Sequence, residues 1–131
     1  MAKTVADIKR AQKESLLLRE LSTYFLHITN DDDRIKDIAI NRVKLSKDKS
    51  CCTLFFYTTL GEAHFQEVMP YLILYKPSMR KALAQSINAR YTPQLIFKYD
   101  DPYEKHLKLE ELLEQLKEEE NPEEDTSVNE S

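Results

Sequence analysis

Leu17, Leu18, Leu21, Tyr24, Phe25 and Ile28 recur at spacings of three and four. That period predicts an amphipathic helix over about residues 5–28, with these side chains facing a core. Lys9, Arg10, Lys13 and Arg19 fall mainly on its other sides, and the polar run Asn30-Asp31-Asp32-Asp33 ends it. Over residues 37–45 the pattern changes to alternation. Ile38 and Ile40 share one parity, while Val43 and Leu45 share the other. A β-bulge near Asn41 and Arg42 returns both pairs to one face. Ser46-Lys47-Asp48-Lys49-Ser50 reads as a turn, and residues 51–59, rich in Phe, Tyr and Thr, read as a second strand. Cys52, Leu54 and Phe56 form its inner face, and Phe55 and Tyr57 point the other way. The two strands make an antiparallel hairpin.

Residues 62–74 predict a helix bearing Ala63, Phe65, Val68 and Met69, which Pro70 should kink or split. Tyr75-Lys76-Pro77-Ser78 interrupts the helical run again, and Pro77 or Ser78 opens a further helix, since proline is tolerated in a first turn. Residues 94–99 alternate as a third strand, with Leu95, Phe97 and Tyr99 on one face. Leu107, Leu109, Leu112, Leu113 and Leu116 predict a last helix over residues 102–117. These leucines need an apolar surface, so Phe55 and Tyr57 are read as packing residues rather than as platforms for bases. From Glu118 the chain is acidic and polar, which predicts a disordered tail over 118–131. The layout is α+β: one domain over 1–117, with a three-stranded sheet and helices packed on one face.

Charge changes this picture. The net charge of -4 conceals a division: residues 1–100 hold 16 Lys and Arg against 11 Asp and Glu, and residues 101–131 hold 3 against 12. A basic body with an acidic end implies an anionic partner for the body and a separate role for the tail. The longest uncharged apolar run, residues 68–75, is too short to cross a bilayer, and no apolar signal segment opens the sequence. Adjacent Cys51 and Cys52 point to opposite sides of a strand and read as reduced packing residues. These features predict a cytoplasmic protein.

Catalytic patterns are scarce. Gly61 is the sole glycine, which excludes every glycine-rich phosphate loop and the GxxG clamp of standard KH modules. His27, His64 and His106 share no ligand spacing, Asp31-Asp32-Asp33 lacks the spaced acids of a calcium loop, and Ser46 and Ser50 have no visible base. The expectation is a non-enzyme with no cofactor, metal or small-molecule substrate. The positive signal is cationic. Arg80 and Lys81 open a helix that carries no carboxylate, Arg90 closes it and Lys76 precedes it. Exposed amides at a helix start attract phosphate, and neighbouring cations strengthen the attraction. Lys9, Arg10 and Lys13 add to the candidate RNA-binding set. The competing reading is a solvated helix face, with Arg90 complementing the helix dipole.

Several strings, in order and at matching spacing, resemble ribosome-binding factor A, the bacterial small-subunit assembly factor. Asp32-Asp33-Arg34 stands where the family has an acid–proline–arginine turn. Val43-Lys44-Leu45-Ser46-Lys47-Asp48 matches its Val-x-Leu-Ser-x-Asp string, and Cys52, Leu54 and Phe56 match its second strand. Arg90-Tyr91-Thr92-Pro93-Gln94-Leu95-Ile96-Phe97-Lys98-Tyr99-Asp100 matches its Arg-x-x-Pro-x-Leu-x-Phe-x-x-Asp string. The match runs from the first helix to about Asp100. It implies a type II KH-like domain lacking GxxG, which binds the small ribosomal subunit and its rRNA as a monomer and aids their maturation. Where the family joins its central helices through Ala-x-Gly, this chain has Tyr75-Lys76-Pro77, the expected interhelical kink. Proline forces a break by removing a donor, but it does not take the positive φ of glycine. The rival reading is a protein–protein adaptor that uses its acidic C-terminal segment; a small hydrolase with unrecognised acids is more remote.

Overall fold

A computed structural model describes residues 4–86 and 92–120 of the chain. The elements are α1 (Val5–Asp31), a 3-10 turn (Asp33–Ile35), β1 (Ala39–Leu45), β2 (Cys51–Tyr57), α2 (Glu62–Ile73), α3 (Lys76–Ser86), β3 (Gln94–Tyr99) and α4 (Asp101–Glu120). Met1–Asp100 and Asp101–Ser131 are two compact units.

Thr4 starts α1 with a capping box. Its hydroxyl accepts from Asp7 N at 3.1 Å, and its own amide donates to the Asp7 carboxylate at 3.3 Å. These bonds satisfy amides that the first turn leaves unpaired. Leu17, Leu21 and Phe25 are buried along the face predicted from their spacing, with Leu18, Tyr24 and Ile28 partly buried beside them. The helix runs to Asp31, one turn beyond the predicted end. Asp32 stops it by leaving helical geometry and turning its carboxylate onto Arg34 N at 3.0 Å.

The sheet order is β1-β2-β3, with β1 and β2 antiparallel and β2 and β3 parallel. The register shifts between Ile40 and Arg42. This is the bulge that the parity slip predicts, and Ile38, Ile40, Val43 and Leu45 are all buried in consequence. Helices α1, α2 and α3 pack on one face of the sheet. Phe56 lies at the centre, with ring centroids 5.4 Å from Phe25, 5.8 Å from Phe65 and 5.0 Å from Phe97. Burying one such ring is worth about 2–3 kcal/mol. Phe55 and Tyr57, on the outer face, have partners within their own unit. The Arg42 guanidinium sits 4.1 Å over the Phe55 ring, and Tyr57 stacks on Tyr99 at 6.0 Å.

Three sequence expectations need correction. Strand β2 ends at Tyr57 rather than at residue 59. Thr58 is buried beyond it, with its carbonyl accepting from the Tyr99 hydroxyl at 3.2 Å, which bends the chain towards α2. Pro70 lies inside α2 without splitting it. Gln66, whose carbonyl loses the missing donor, is exposed, so that carbonyl is open to water. The break comes at Leu74 and Tyr75. Finally, α4 continues through Glu118 and Glu119 to Glu120, because glutamates favour helix where little else decides. Within it, Lys108 pairs with Glu104 at 3.6 Å and His106 lies 3.0 Å from Glu110. The rest of the predicted tail lies outside the described residues.

Candidate nucleic-acid interface

Four segments distant in sequence converge where β1 ends and β2 and β3 begin. Leu45 N donates to Glu14 Oε2 at 2.6 Å, which ties the first half of α1 to the end of β1. Ser46 N donates to Cys51 O at 2.9 Å and closes the hairpin turn. Gln94 N donates to Ser50 O at 2.9 Å, setting the entry of β3 beside that turn. Arg80 reaches from α3 to the same entry, with Nε donating to Pro93 O at 3.2 Å and Nη2 to Thr92 O at 3.0 Å.

The predicted site residues fare differently. Lys9 and Lys13 line one cleft of about 460 Å³, together with Ala6, Arg10, Gln12, Lys47 and Lys49. Arg10 also bonds Asp7 at 3.1 Å. A second cleft, of about 450 Å³, is lined by Lys76, Pro77, Arg80, Gln94 and Leu95. Lys76 Nζ sits 5.3 Å from the centre of the Phe97 ring, a cation–π arrangement that holds the ammonium at the cleft wall. Lys81, next to Arg80 in sequence, is exposed. Arg80 is exposed, as the sequence predicts, and its guanidinium is also committed in part to the two carbonyls. Arg90 lies outside the described residues.

The carboxylates here are held by their own surroundings. The Thr4 hydroxyl and amide hold Asp7 below the usual carboxylate range, against some burial, with Arg10 and then Lys47 adding charge. Asp48 is likewise lowered, first by the Ser50 hydroxyl, then by the Ser50 amide and the Ser46 hydroxyl. Both acids therefore stay ionised; Asp48 braces the hairpin turn, and Asp7 braces the start of α1 while pairing with Arg10 and attracting Lys47.

The interhelical segment Tyr75-Lys76-Pro77 is anchored from the opposite end of β1. The Tyr75 hydroxyl donates to Asp32 Oδ2 at 2.5 Å, and Arg34 grips the same carboxylate at 2.8 Å and 2.7 Å. Arg34 also lies 4.5 Å over the Tyr71 ring. These bonds, Arg34 foremost and then Tyr75, hold Asp32 far below the usual carboxylate range. Asp100 forms a matching knot at the end of β3. It accepts from Asn41 Nδ2 at 2.9 Å and from Arg42 at 3.1 Å and 3.2 Å, pinning the bulge of β1 across β2.

No group of three or more His, Cys, Asp and Glu suited to a metal occurs among the described residues. Burial, with the Glu14 charge adding, pushes the Cys52 thiol up to about 12, so it is a packing group. No described helix is long and apolar enough to cross a membrane. Sequence reasoning passed over Lys47 and Lys49, which it assigned only to a turn. The available signal was that both flank a turn joined to the strand that follows a cationic helix.

The family model for ribosome-binding factor A matches residues 9–113. The chain belongs to the ribosome-binding factor A family. It is similar to the ribosome-binding factor A of Prochlorococcus marinus subsp. pastoris, 36% identical over 110 residues that cover 82% of this chain and 83% of that one. The Prochlorococcus marinus AS9601 protein of the same name is 33% identical over 110 residues, covering 82% and 85%. The fold resembles the crystal structure of ribosome-binding factor A from Thermus thermophilus, with TM-score 0.59 and 24% identity over 69% of this chain and 94% of that one. The fold is the KH-like one of these relatives, and Gly61, the sole glycine, caps α2 at φ 89 rather than forming a GxxG clamp.

Proposed function

We propose that this ribosome-binding factor aids small-subunit maturation by holding the rRNA of free small subunits against the basic end of its sheet. One observation carries the reading: Lys9, Arg10, Lys13, Lys76, Arg80 and Lys81, scattered over some seventy positions of sequence, come from elements bonded together at that end. Among the described residues Lys9, Lys13, Lys76 and Lys81 pair with no carboxylate, and such lysines suit phosphates, which carry most of the affinity of such interfaces. The protein acts as a monomer in the cytoplasm and without catalysis. It favours one folding state of the RNA by binding it more tightly, since a ligand shifts an equilibrium only by its differential affinity. Arg90, which closes the predicted basic helix, belongs to the same proposed set, and Tyr75-Lys76-Pro77 aims α3 towards the RNA.

Co-sedimentation of the full chain with purified small subunits across a salt series tests this. The expected result is binding that weakens steeply with salt, and a slope lowered by about two in the Lys76→Gln, Lys81→Gln variant. Binding that is insensitive to both would refute it. If removal of the acidic C-terminal segment alone abolished binding, the adaptor reading would replace it.

A further inference from the structure

The hairpin turn carries a backbone oddity beside the first cleft. Lys49 N donates to Ser46 O at 2.9 Å, which makes residues 46–49 a tight turn. Lys49 then adopts φ 61, the left-handed conformation. That position in a hairpin loop favours glycine or asparagine, because a longer side chain is strained there. A lysine held at such a position points to a use for its side chain.

Its surroundings show what the use is. Lys49 and Lys47 line the cleft from the turn, and Lys9 and Lys13, one helical turn apart, line it from α1. No carboxylate lines this cleft among the described residues. Asp48, between the two turn lysines, accepts from Ser46 Oγ at 2.8 Å, Ser50 N at 3.0 Å and Ser50 Oγ at 2.7 Å, so it shapes the turn. Asp7, near Lys47, is held by Thr4 and Arg10. Among the described residues of the lining, Ala6 alone is apolar. An apolar ligand would gain almost nothing there, whereas a compact polyanion meets four ammonium groups and Arg10.

We infer that the cleft between α1 and the β1–β2 turn is a phosphate seat for an RNA backbone, built by Lys9, Lys13, Lys47 and Lys49. The Ser50–Gln94 bond sets this turn beside the entry of β3, where Gln94 and Arg80 line the second cleft. Two neighbouring basic clefts fit a strand of successive phosphates rather than one free anion. The inference rests on the proposed rRNA-binding reading and adds to it the turn lysines and a second set of contacts.

The test uses the full chain and purified small subunits, measuring affinity against salt. Lys47→Gln with Lys49→Gln, and separately Lys9→Gln with Lys13→Gln, should each lower the salt slope by about two. Lys49→Gly should relieve the backbone while removing a charge, giving an equal or higher Tm together with weaker binding. Inorganic phosphate should compete no better than chloride at equal ionic strength. Slopes unchanged in both double variants, with the Lys76→Gln, Lys81→Gln slope still lowered, would overturn the seat and leave the rRNA reading standing. Unchanged affinity in Lys49→Gly would remove Lys49 from it. Displacement by phosphate alone would reassign the seat to a free anion. A wild-type chain with no salt-dependent binding would overturn both proposals.

Discussion

Arg34 and Arg42 are put to a different use from the lysines of the hairpin cleft, and the two ends of the sheet show it. Towards the Asp32 and Asp100 end, Arg34 and Arg42 each grip a buried carboxylate through two nitrogens and lie over an aromatic ring. At the hairpin end, Lys9, Lys13, Lys47 and Lys49 surround a cleft whose described lining holds no carboxylate. The planar guanidinium suits fixed, paired geometry, and the flexible ammonium suits a surface that must meet phosphates in varied positions. One end therefore stores stability, and the other keeps charge available. Arg80 extends the contrast, since it sits at the basic end yet bonds two backbone carbonyls.

The sharpest way to break this division is at Asp100. Its side chain is 1% exposed and holds both Asn41 and Arg42. Asp100→Ala leaves those donors unmatched beside the bulge, and the expected loss is about 2–3 kcal/mol, reduced from a fully buried pair because Arg42 is half-exposed. Urea denaturation measures it. A loss under about 0.5 kcal/mol, on the same scale, would mean that the knot does not hold the bulge. Subunit binding, compared at a temperature where the variant is folded, should be unchanged.

Tyr75 comes next. Replacing Tyr75-Lys76-Pro77 by the family's small residues, with Tyr75→Ala and Pro77→Gly, removes a partly buried ring and the hydroxyl that Asp32 accepts. The double variant should lose about 2–4 kcal/mol. Tyr75→Phe keeps the ring and should lose about 1 kcal/mol. The same knot gives a pH signature. Asp32 is held below its ordinary value of 3.8 in the folded chain, so its contribution is complete above that value and falls away as pH drops below it. Asp32→Asn should flatten the acid limb of a stability–pH curve. An unchanged limb would place the acid sensitivity elsewhere.

Much of the fold was legible because its signals are periodic. The bulge followed from Ile38 and Ile40 sharing one parity and Val43 and Leu45 the other, and β3 followed from Leu95, Phe97 and Tyr99. The Tyr75–Asp32 and Asn41–Asp100 bonds join residues 43 and 59 positions apart, and no local pattern announces such pairs. The two bonds of Arg80 were not legible because its partners are carbonyls of residues 92 and 93, and backbone acceptors leave no mark in a sequence. Lys47 and Lys49 were hidden in a turn whose use depends on α1 packing against it. The α2–α3 break was legible at Tyr75-Lys76-Pro77, while Pro70 overstated a second break, since an exposed helix edge tolerates the lost bond.

The smallest effects belong to the charged surface and the acidic end. Converting Lys9, Lys13, Lys47 and Lys49 together to Gln should change stability by less than about 0.5 kcal/mol, since three of them are exposed and Lys13 is only half-buried. Ending the chain after Glu120 should leave the Tm nearly unchanged, because Val128 is the only aliphatic residue removed. Thermal unfolding checks both. A large loss in the lysine variant would make those residues structural and erase the contrast with the arginines.

Lysine acetylation of the full chain, free and bound to small subunits, read by mass spectrometry, tests the central claim most directly. Lys9, Lys13, Lys47, Lys49, Lys76 and Lys81 should become protected on binding. Lys36, beside the 3-10 turn, and Lys98, on β3 opposite Phe55, should react as before. Protection of Lys36 and Lys98 with the other six lysines still reactive would contradict the account.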